Sequence, residues 1–344
     1  MQDIFSAIQN WAKDNKKFSI ATVVKTWGSA PRLVGSSMAI SNQKEILGSV
    51  SGGCVEGAVI KKALPIIDNG QPELLHFGVA DEEAWAVGLS CGGKIDVFVE
   101  SFLTTADDAM EQQIWQALQH CVQHNKGCVL LSRMAGVTSA HALVQADGTV
   151  LDNLQKEGLV EAAQRAYQER KNQIIEVEGV SYFAHVFQPK SRMLIVGAAH
   201  ISVDLVDLAN QFGFETVVID PRGIFSNNTE FHNPPAHIHR DWPAEVLPSY
   251  QLDAYTYAVL LTHDPKIDDQ ALHLLLKSKV AYIGALGSRR THAKRVTRLT
   301  EAGFSESEIA RIHGPIGVDI NAKRPKEIAL SIMGEVIGVR NEFL

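Results

Sequence analysis

The stretch Arg192-Met193-Leu194-Ile195-Val196-Gly197-Ala198-Ala199-His200-Ile201-Ser202 decides the fold of the second half of the chain. Its apolar run reads as a strand buried on both faces, and the glycine and two alanines after it read as a tight turn into a helix. A second apolar run closes at Asp220, roughly 20 residues on, where a dinucleotide-binding βαβ unit carries the acid that meets a ribose. The fingerprint here is G-x-A-x-x-S. Gly197 makes the turn, Ala199 puts a methyl group where backbone usually approaches a pyrophosphate, and Ser202 is still small enough for helix and strand to pack closely. Further apolar runs at 216–219, 258–262 and 280–283 alternate with helical patterns at 201–212, 266–278, 289–302 and 325–338. The alternation predicts a Rossmann-like parallel sheet.

Polar residues fall at the carboxyl ends of these strands: His200, then Asp220 and Arg222, then His263 and Asp264, then Ser288, Arg289 and Arg290. Ligands of open α/β sheets sit at that edge, and the helix start at Gly197 and Ala198, with arginines nearby, suits a phosphate. Arg289, Arg290, Lys294, Arg295 and Arg298 further predict a basic helix face for an acidic partner or a phosphate.

The pattern changes character near Gln188–Ser191, so the expected division is an α+β domain over 1–188 and the Rossmann-like domain over 191–344. Upstream strands are expected at 18–24, 38–40, 95–99, 129–131 and 142–150, and helices at 3–14, 54–67 and 107–124. No internal repeat is visible in the sequence.

Three loops of this half are dense in Gly and Ser: Gly28–Gly35, with Arg32; Leu47–Gly57, with Ser51, Gly52, Gly53, Cys54 and Glu56; and Gly88–Gly93, with Cys91. Such loops expose backbone N–H groups to an oxyanion, and Arg32 adds a bidentate donor. Cys54 opens a helix, where the dipole favours a thiolate and hence a soft metal ligand; Cys91 is the second candidate. Cys121 and Cys128 fall on apolar faces and read as core, and His232, His237 and His239 as a solvated loop.

The chain has 344 residues, of which 45% are hydrophobic and 21% charged, so it can bury sizeable cores. A balance of 32 Lys+Arg against 39 Asp+Glu gives −7, which excludes the basic surface of a general nucleic-acid binder. No apolar run reaches the roughly 20 residues that span a bilayer, and the N-terminus lacks the order of a secretory signal, so a cytoplasmic protein is expected. Four cysteines are too few for a disulfide framework.

Eight motifs in order, GSAPR (28–32), GSVSGGCVE (48–56), GLSCGG (88–93), VGAAH (196–200), DPR (220–222), THD (262–264), YIGALGSR (282–289) and GPIGVD (314–319), together resemble the XdhC/CoxI family over nearly the whole chain. The resemblance implies a binder of molybdenum cofactor, as molybdopterin or its dinucleotide form. It implies protection of the cofactor during sulfuration by a cysteine desulfurase, and insertion into an apo molybdenum hydroxylase such as xanthine dehydrogenase. It points to a homodimer and to a carrier more than an enzyme. Carried over, Cys54 is the metal-contacting thiolate with Ser51, Gly52, Gly53 and Glu56 around it. Cys91, Arg32, Gly197, Ala198, His200, Asp220, Arg222 and His263 are the other cofactor contacts. Two readings compete with this one: an NAD(P)-dependent oxidoreductase using His200 or His263, and a cofactor-free scaffold for hydroxylase assembly.

Overall fold

The computed structural model describes residues 1, 4–14, 16–30, 32–53, 55–78, 93–101, 108–223 and 231–342. The chain divides into two compact units, Met1–Pro189 and Lys190–Leu344.

The first unit runs α1 (Phe5–Lys13), β1 (Phe18–Trp27), β2 (Ser37–Ser41), β3 (Ile46–Gly48), α2 (Glu56–Asn69), β4 (Glu73–Phe77) and β5 (Lys94–Ser101). It continues with α3 (Ala109–Gln123), β6 (Cys128–Arg133), β7 (His141–Gln145), β8 (Val150–Asp152), α4 (Leu159–Gln168), β9 (Gln173–Val177) and β10 (Val180–Phe187). Its two antiparallel sheets have the orders β3-β2-β1-β5-β4 and β8-β7-β6-β10-β9. The second order is the first with five added to every strand, and in each half one helix precedes the central strand and another follows the third. The unit is thus a duplicated αβββαββ topology, although the sequence shows no repeat. The single strand expected over 142–150 is instead the hairpin β7–β8, which turns at Gly148 with a positive φ of 90°.

The sheets share a core. Phe18, Ile20 and Ala39 of the first pack with Cys128, Leu130, Leu143 and Phe187 of the second and with Trp11 and Trp115 from the helices. Cys121 and Cys128 are both free and buried, as their apolar setting predicts. Across the same region lies a buried polar clamp. The imidazole of His141 on β7 meets Glu111 of α3 at 2.6 Å through Nδ1 and Glu100 of β5 at 3.0 Å through Nε2. Ser132 donates to the other oxygen of Glu100 at 3.0 Å, and Asn153 donates to Glu111 at 2.9 Å. Burial opposes a charge on His141, but the two carboxylates outweigh it and raise its pKa to about 10.

The second unit runs β11 (Arg192–Val196), α5 (His200–Gln211), β12 (Glu215–Ile219), β13 (His237–His239), α6 (Pro243–Val246), β14 (Thr256–Leu260) and α7 (Pro265–Leu275). It closes with β15 (Tyr282–Ala285), α8 (Arg289–Glu301), α9 (Glu306–Ile309), β16 (Ile312–His313) and α10 (Pro325–Glu342). The sheet is parallel throughout, in the order β13-β12-β11-β14-β15-β16, with the strand order reversing between β11 and β14. This is the mixed α+β and Rossmann-type architecture that the sequence predicts. His237 and His239 lie on the short edge strand β13 and not in an irregular loop, and His239 meets the Tyr250 hydroxyl at 2.8 Å.

The clamp makes a stability prediction. Replacing His141 with Leu leaves two buried carboxylates without their cation, at a cost of about 3–5 kcal/mol. For the parent, a histidine raised from 6.5 to about 10 contributes stability in full below about pH 6.5 and loses it as pH rises through about 10. Denaturant unfolding from pH 6 to 10.5 should show that decline in the parent and a shallower one in the variant.

Candidate functional site

In the first sheet β1, β3 and β4 run one way and β2 and β5 the other. The β1–β2 loop, the Ser49–Val55 loop after β3 and the β4–β5 connection therefore leave the sheet at one edge. These are the three Gly-rich segments singled out above. Gly93 explains itself here: a Cβ would come within 2.8 Å of the Ser29 carbonyl oxygen, so only glycine lets the first and third loops touch. The second half of the unit closes the corresponding β4–β5 position with the tight turn Glu178-Gly179, and among the described residues nothing comparable to the glycine loops stands at that edge. Cys54 and Cys91 lie outside the described residues.

The Ser49–Val55 loop is built around an acid. Glu56, the first residue of α2, turns back, and one carboxylate oxygen accepts from the N–H of Ser51 at 2.9 Å, the N–H of Gly52 at 3.0 Å and the Ser49 hydroxyl at 2.8 Å. The other oxygen accepts from the Gly53 N–H at 2.9 Å and the Ser51 hydroxyl. Partial burial works against this charge, but the donors from Ser51 and Ser49 prevail and hold the carboxyl at about 2. Gly52 and Gly53, at φ of 81° and 120°, give the turn its shape and are exposed to open space. The N–H groups expected to cradle an external anion already hold an internal one. Arg32 stands exposed on the neighbouring loop.

The second unit repeats the arrangement. Gly197 sits at φ 110°, where a Cβ would strike Thr262 at 2.8 Å, so this turn packs directly on the end of β14. The N–H of Ala198 donates to Asp220 at 2.7 Å. Arg222 closes on the same carboxylate with its Nε at 2.9 Å, its Nη2 at 2.7 Å and its backbone N–H at 3.0 Å. Burial would raise the Asp220 pKa, and these donors bring it below the usual carboxylate range. The side chain of Asp220 is 5% exposed, so the ribose contact expected of it and the phosphate contact expected of Arg222 compete with their own pairing. His200 and His263 are exposed at the same strand edge.

The basic face expected on α8 is divided. Arg289, Arg290 and Lys294 point to solvent, but Arg298 is paired with Asp269 at 2.7 and 2.9 Å, and Arg295 is buried beside Asp268. The buried pair went unread in the sequence, where Arg295 looked like its neighbours. The available signal was its place one turn before the core residue Leu299. Among the described residues no cluster of three or more His, Cys, Asp or Glu forms a metal site, and no helix is long and apolar enough to cross a membrane.

A parallel sheet with its strand order reversing at a glycine turn, in a chain whose other unit is antiparallel and gathers Gly-rich loops at one edge, defines a two-unit α/β protein of the Rossmann type. The sequence models of two families match it: "XdhC and CoxI family" over residues 11–78 and "XdhC Rossmann domain" over 193–336, together more than half of the chain. The protein belongs to the XdhC/CoxI family. It is 26% identical over 330 residues to a probable xanthine dehydrogenase subunit of Bacillus subtilis, covering 95% of this chain and 94% of that one. It is also 26% identical over 327 residues to "Molybdenum cofactor insertion chaperone PaoD" of Escherichia coli, covering 93% and 83%. A crystal structure described as a xanthine dehydrogenase from Bacillus halodurans superposes with a TM-score of 0.77 at 26% identity, covering 99% of this chain and 96% of that one.

The Glu56 cradle can be read directly by amide exchange. The Gly52 N–H also meets the Ser49 hydroxyl at 2.9 Å, so Glu56→Ala should accelerate exchange most at Ser51 and Gly53, by about tenfold or more, the factor that matches roughly 1.4 kcal/mol of local protection. Unchanged protection at those amides, measured by NMR or mass spectrometry, would show that the carboxylate does not organise the loop.

Proposed function

We propose that the protein binds molybdenum cofactor and inserts it into an apo molybdenum hydroxylase of the xanthine dehydrogenase type. The observation that carries this reading is the likeness to a molybdenum cofactor insertion chaperone through both units, over 93% of the chain. The gathering of three Gly-rich segments at one sheet edge agrees with it, because the sequence sets both candidate thiols within those segments.

The fit to the cofactor differs between its two ends. A thiolate at Cys54, which follows Gly52 and Gly53 in the sequence just before a helix, has the softness that a dithiolene-bound molybdenum accepts. The phosphate end finds the Ser51–Gly53 N–H groups engaged by Glu56, so that loop serves the metal end alone as it stands. Gly197, Ala198, His200, Arg222 and His263 are then the groups of the Rossmann edge nearest an incoming phosphate. Its binding there as a nucleotide, the protection of the cofactor during sulfuration with a cysteine desulfurase, and a homodimeric state belong to the same proposal. The pairing of Asp220 with Arg222 takes up the acceptor on which an NAD(P)-dependent enzyme relies for its ribose, which favours the carrier over the oxidoreductase.

Cys54→Ser keeps the size of the side chain and removes the soft ligand. Molybdenum content by elemental analysis should fall several-fold in the variant purified from a molybdate-replete host, while circular dichroism stays that of the parent. Equal metal content would refute the role of this thiol. Light scattering on the parent should give about twice the mass of one chain at micromolar concentration, and a single-chain mass there would remove the dimer from the proposal.

A further inference from the structure

A bulge re-aims the end of β1. Val23 pairs with Val97 of β5 but Lys25 pairs with Asp96, so one extra residue enters β1 between them. Unbroken pairing would set Lys25 opposite Ile95, on the face that packs its core against α2; the extra residue turns Lys25 and Trp27 to the other face, in register with Asp96 and Lys94. His76 of β4 flanks Asp96 from the far side. Two rows result at the loop end of the sheet. One is Lys25, Asp96 and His76; the other is Trp27 and Lys94, and Gly78 leaves its far end without a side chain, since a Cβ there would meet the Lys94 stem at 3.2 Å. Rows about 7 Å apart on three strands that span about 10 Å give the face the breadth of a fused bicyclic ring.

Its chemistry is aromatic and positive. Trp27 is 42% exposed, and Lys25 and Lys94 are exposed beside it. Lys25 holds its ammonium 4.7 Å from the centre of the indole, a cation–π contact that is weak at an exposed site. Neither lysine has an acid partner among the described residues. Asp96, the one acid of the two rows, is taken by His76, whose Nδ1 donates to it at 2.7 Å, and its side chain is 12% exposed. It therefore does little to repel an anion. The strands that carry these rows feed two of the Gly-rich segments, β1 at Gly28 and β4 and β5 at Gly78 and Gly93.

We propose that this face binds a planar heteroaromatic ring carrying an anionic group, the ring replacing the Lys25 ammonium on the Trp27 indole and the anion pairing with Lys25 and Lys94. Stacking on an indole accepts any flat π-system, and the flexible four-carbon stem of Lys25 lets its ammonium follow the charge. The bulge is what brings indole and ammonium groups onto one face. This deepens the reading of the first unit as the holder of the cofactor's metal end and rests on it only for the natural ligand, in which a pterin ring and negative charge occur together.

The test uses the full chain without cofactor. Pterin-6-carboxylate, adenosine 5′-monophosphate and inorganic phosphate are titrated separately by calorimetry into the parent, Trp27→Leu, Lys94→Gln and the control Trp242→Leu, which removes an indole of similar exposure, 40%, from the second unit. Trp27→Leu should lose about fivefold or more in affinity for the ring-bearing probes, Lys94→Gln about threefold or more, and Trp242→Leu less than about twofold. Inorganic phosphate should bind the parent at least about tenfold more weakly than the better ring-bearing probe. A preference for pterin-6-carboxylate assigns the site to a pterin and a preference for the monophosphate to a nucleotide; either supports it. Should Trp27→Leu not fold, the chain labelled with 15N-tryptophan decides: the better ring-bearing probe must shift an indole N–H signal that persists in Trp242→Leu. Equal affinity in the parent and Trp27→Leu, loss at Trp242→Leu instead, phosphate as tight as both ring-bearing probes, or no binding of either at millimolar concentration overturns the proposal. Molybdenum retention by Cys54 is measured independently, so either reading can fail without the other.

Discussion

A glycine turn with positive φ leaves main-chain N–H groups that no helix or strand will pair, and such groups must find an acceptor or face water. In this protein the acceptor is a carboxylate of the same chain. Glu56 takes the N–H groups of Ser51, Gly52 and Gly53; Asp220 takes that of Ala198 and adds the guanidinium of Arg222. The shape of both turns, and hence the position of everything around them, depends on those acids remaining charged. The donors lower both carboxyl pKa values, so each contributes stability above its ordinary range and loses it as pH falls through the lowered one, about 2 for Glu56.

The duplicated topology of the first unit separates scaffold from chemistry. Both halves wind the same seven elements, and the clamp of His141 between Glu100 and Glu111 ties strands of both sheets to α3. Only the first half extends its connections into glycine-rich loops. Loops that vary on a repeated scaffold are where binding develops, because lengthening them leaves the sheet's own hydrogen bonds untouched.

The parallel sheet was legible because its strands are uninterrupted apolar runs, buried on both faces, and nothing else in water reads that way. The strands β4, β9 and β10 and the helix α4 carried no comparable signal. In β9, for example, Gln173, Ile174, Ile175 and Val177 are all half-buried, so neither period stands out. The duplication was invisible for a related reason: the two halves share an order of strands and not the side chains on them. At the site, sequence named the polar residues and their strand ends but not their pairings. That Asp220 closes on Arg222, or that Glu56 reaches back three to seven residues, is decided by turn geometry, and five basic residues on α8 look alike until one of them faces the core.

The internal acids also set the terms on which any ligand enters. An anion that uses the Ser51–Gly53 N–H groups has to displace a carboxylate held by five short contacts, and one that uses Arg222 has to break a bidentate pair. Its apparent affinity is then the difference between two similar charge-assisted sets, which keeps binding weak and exchange easy.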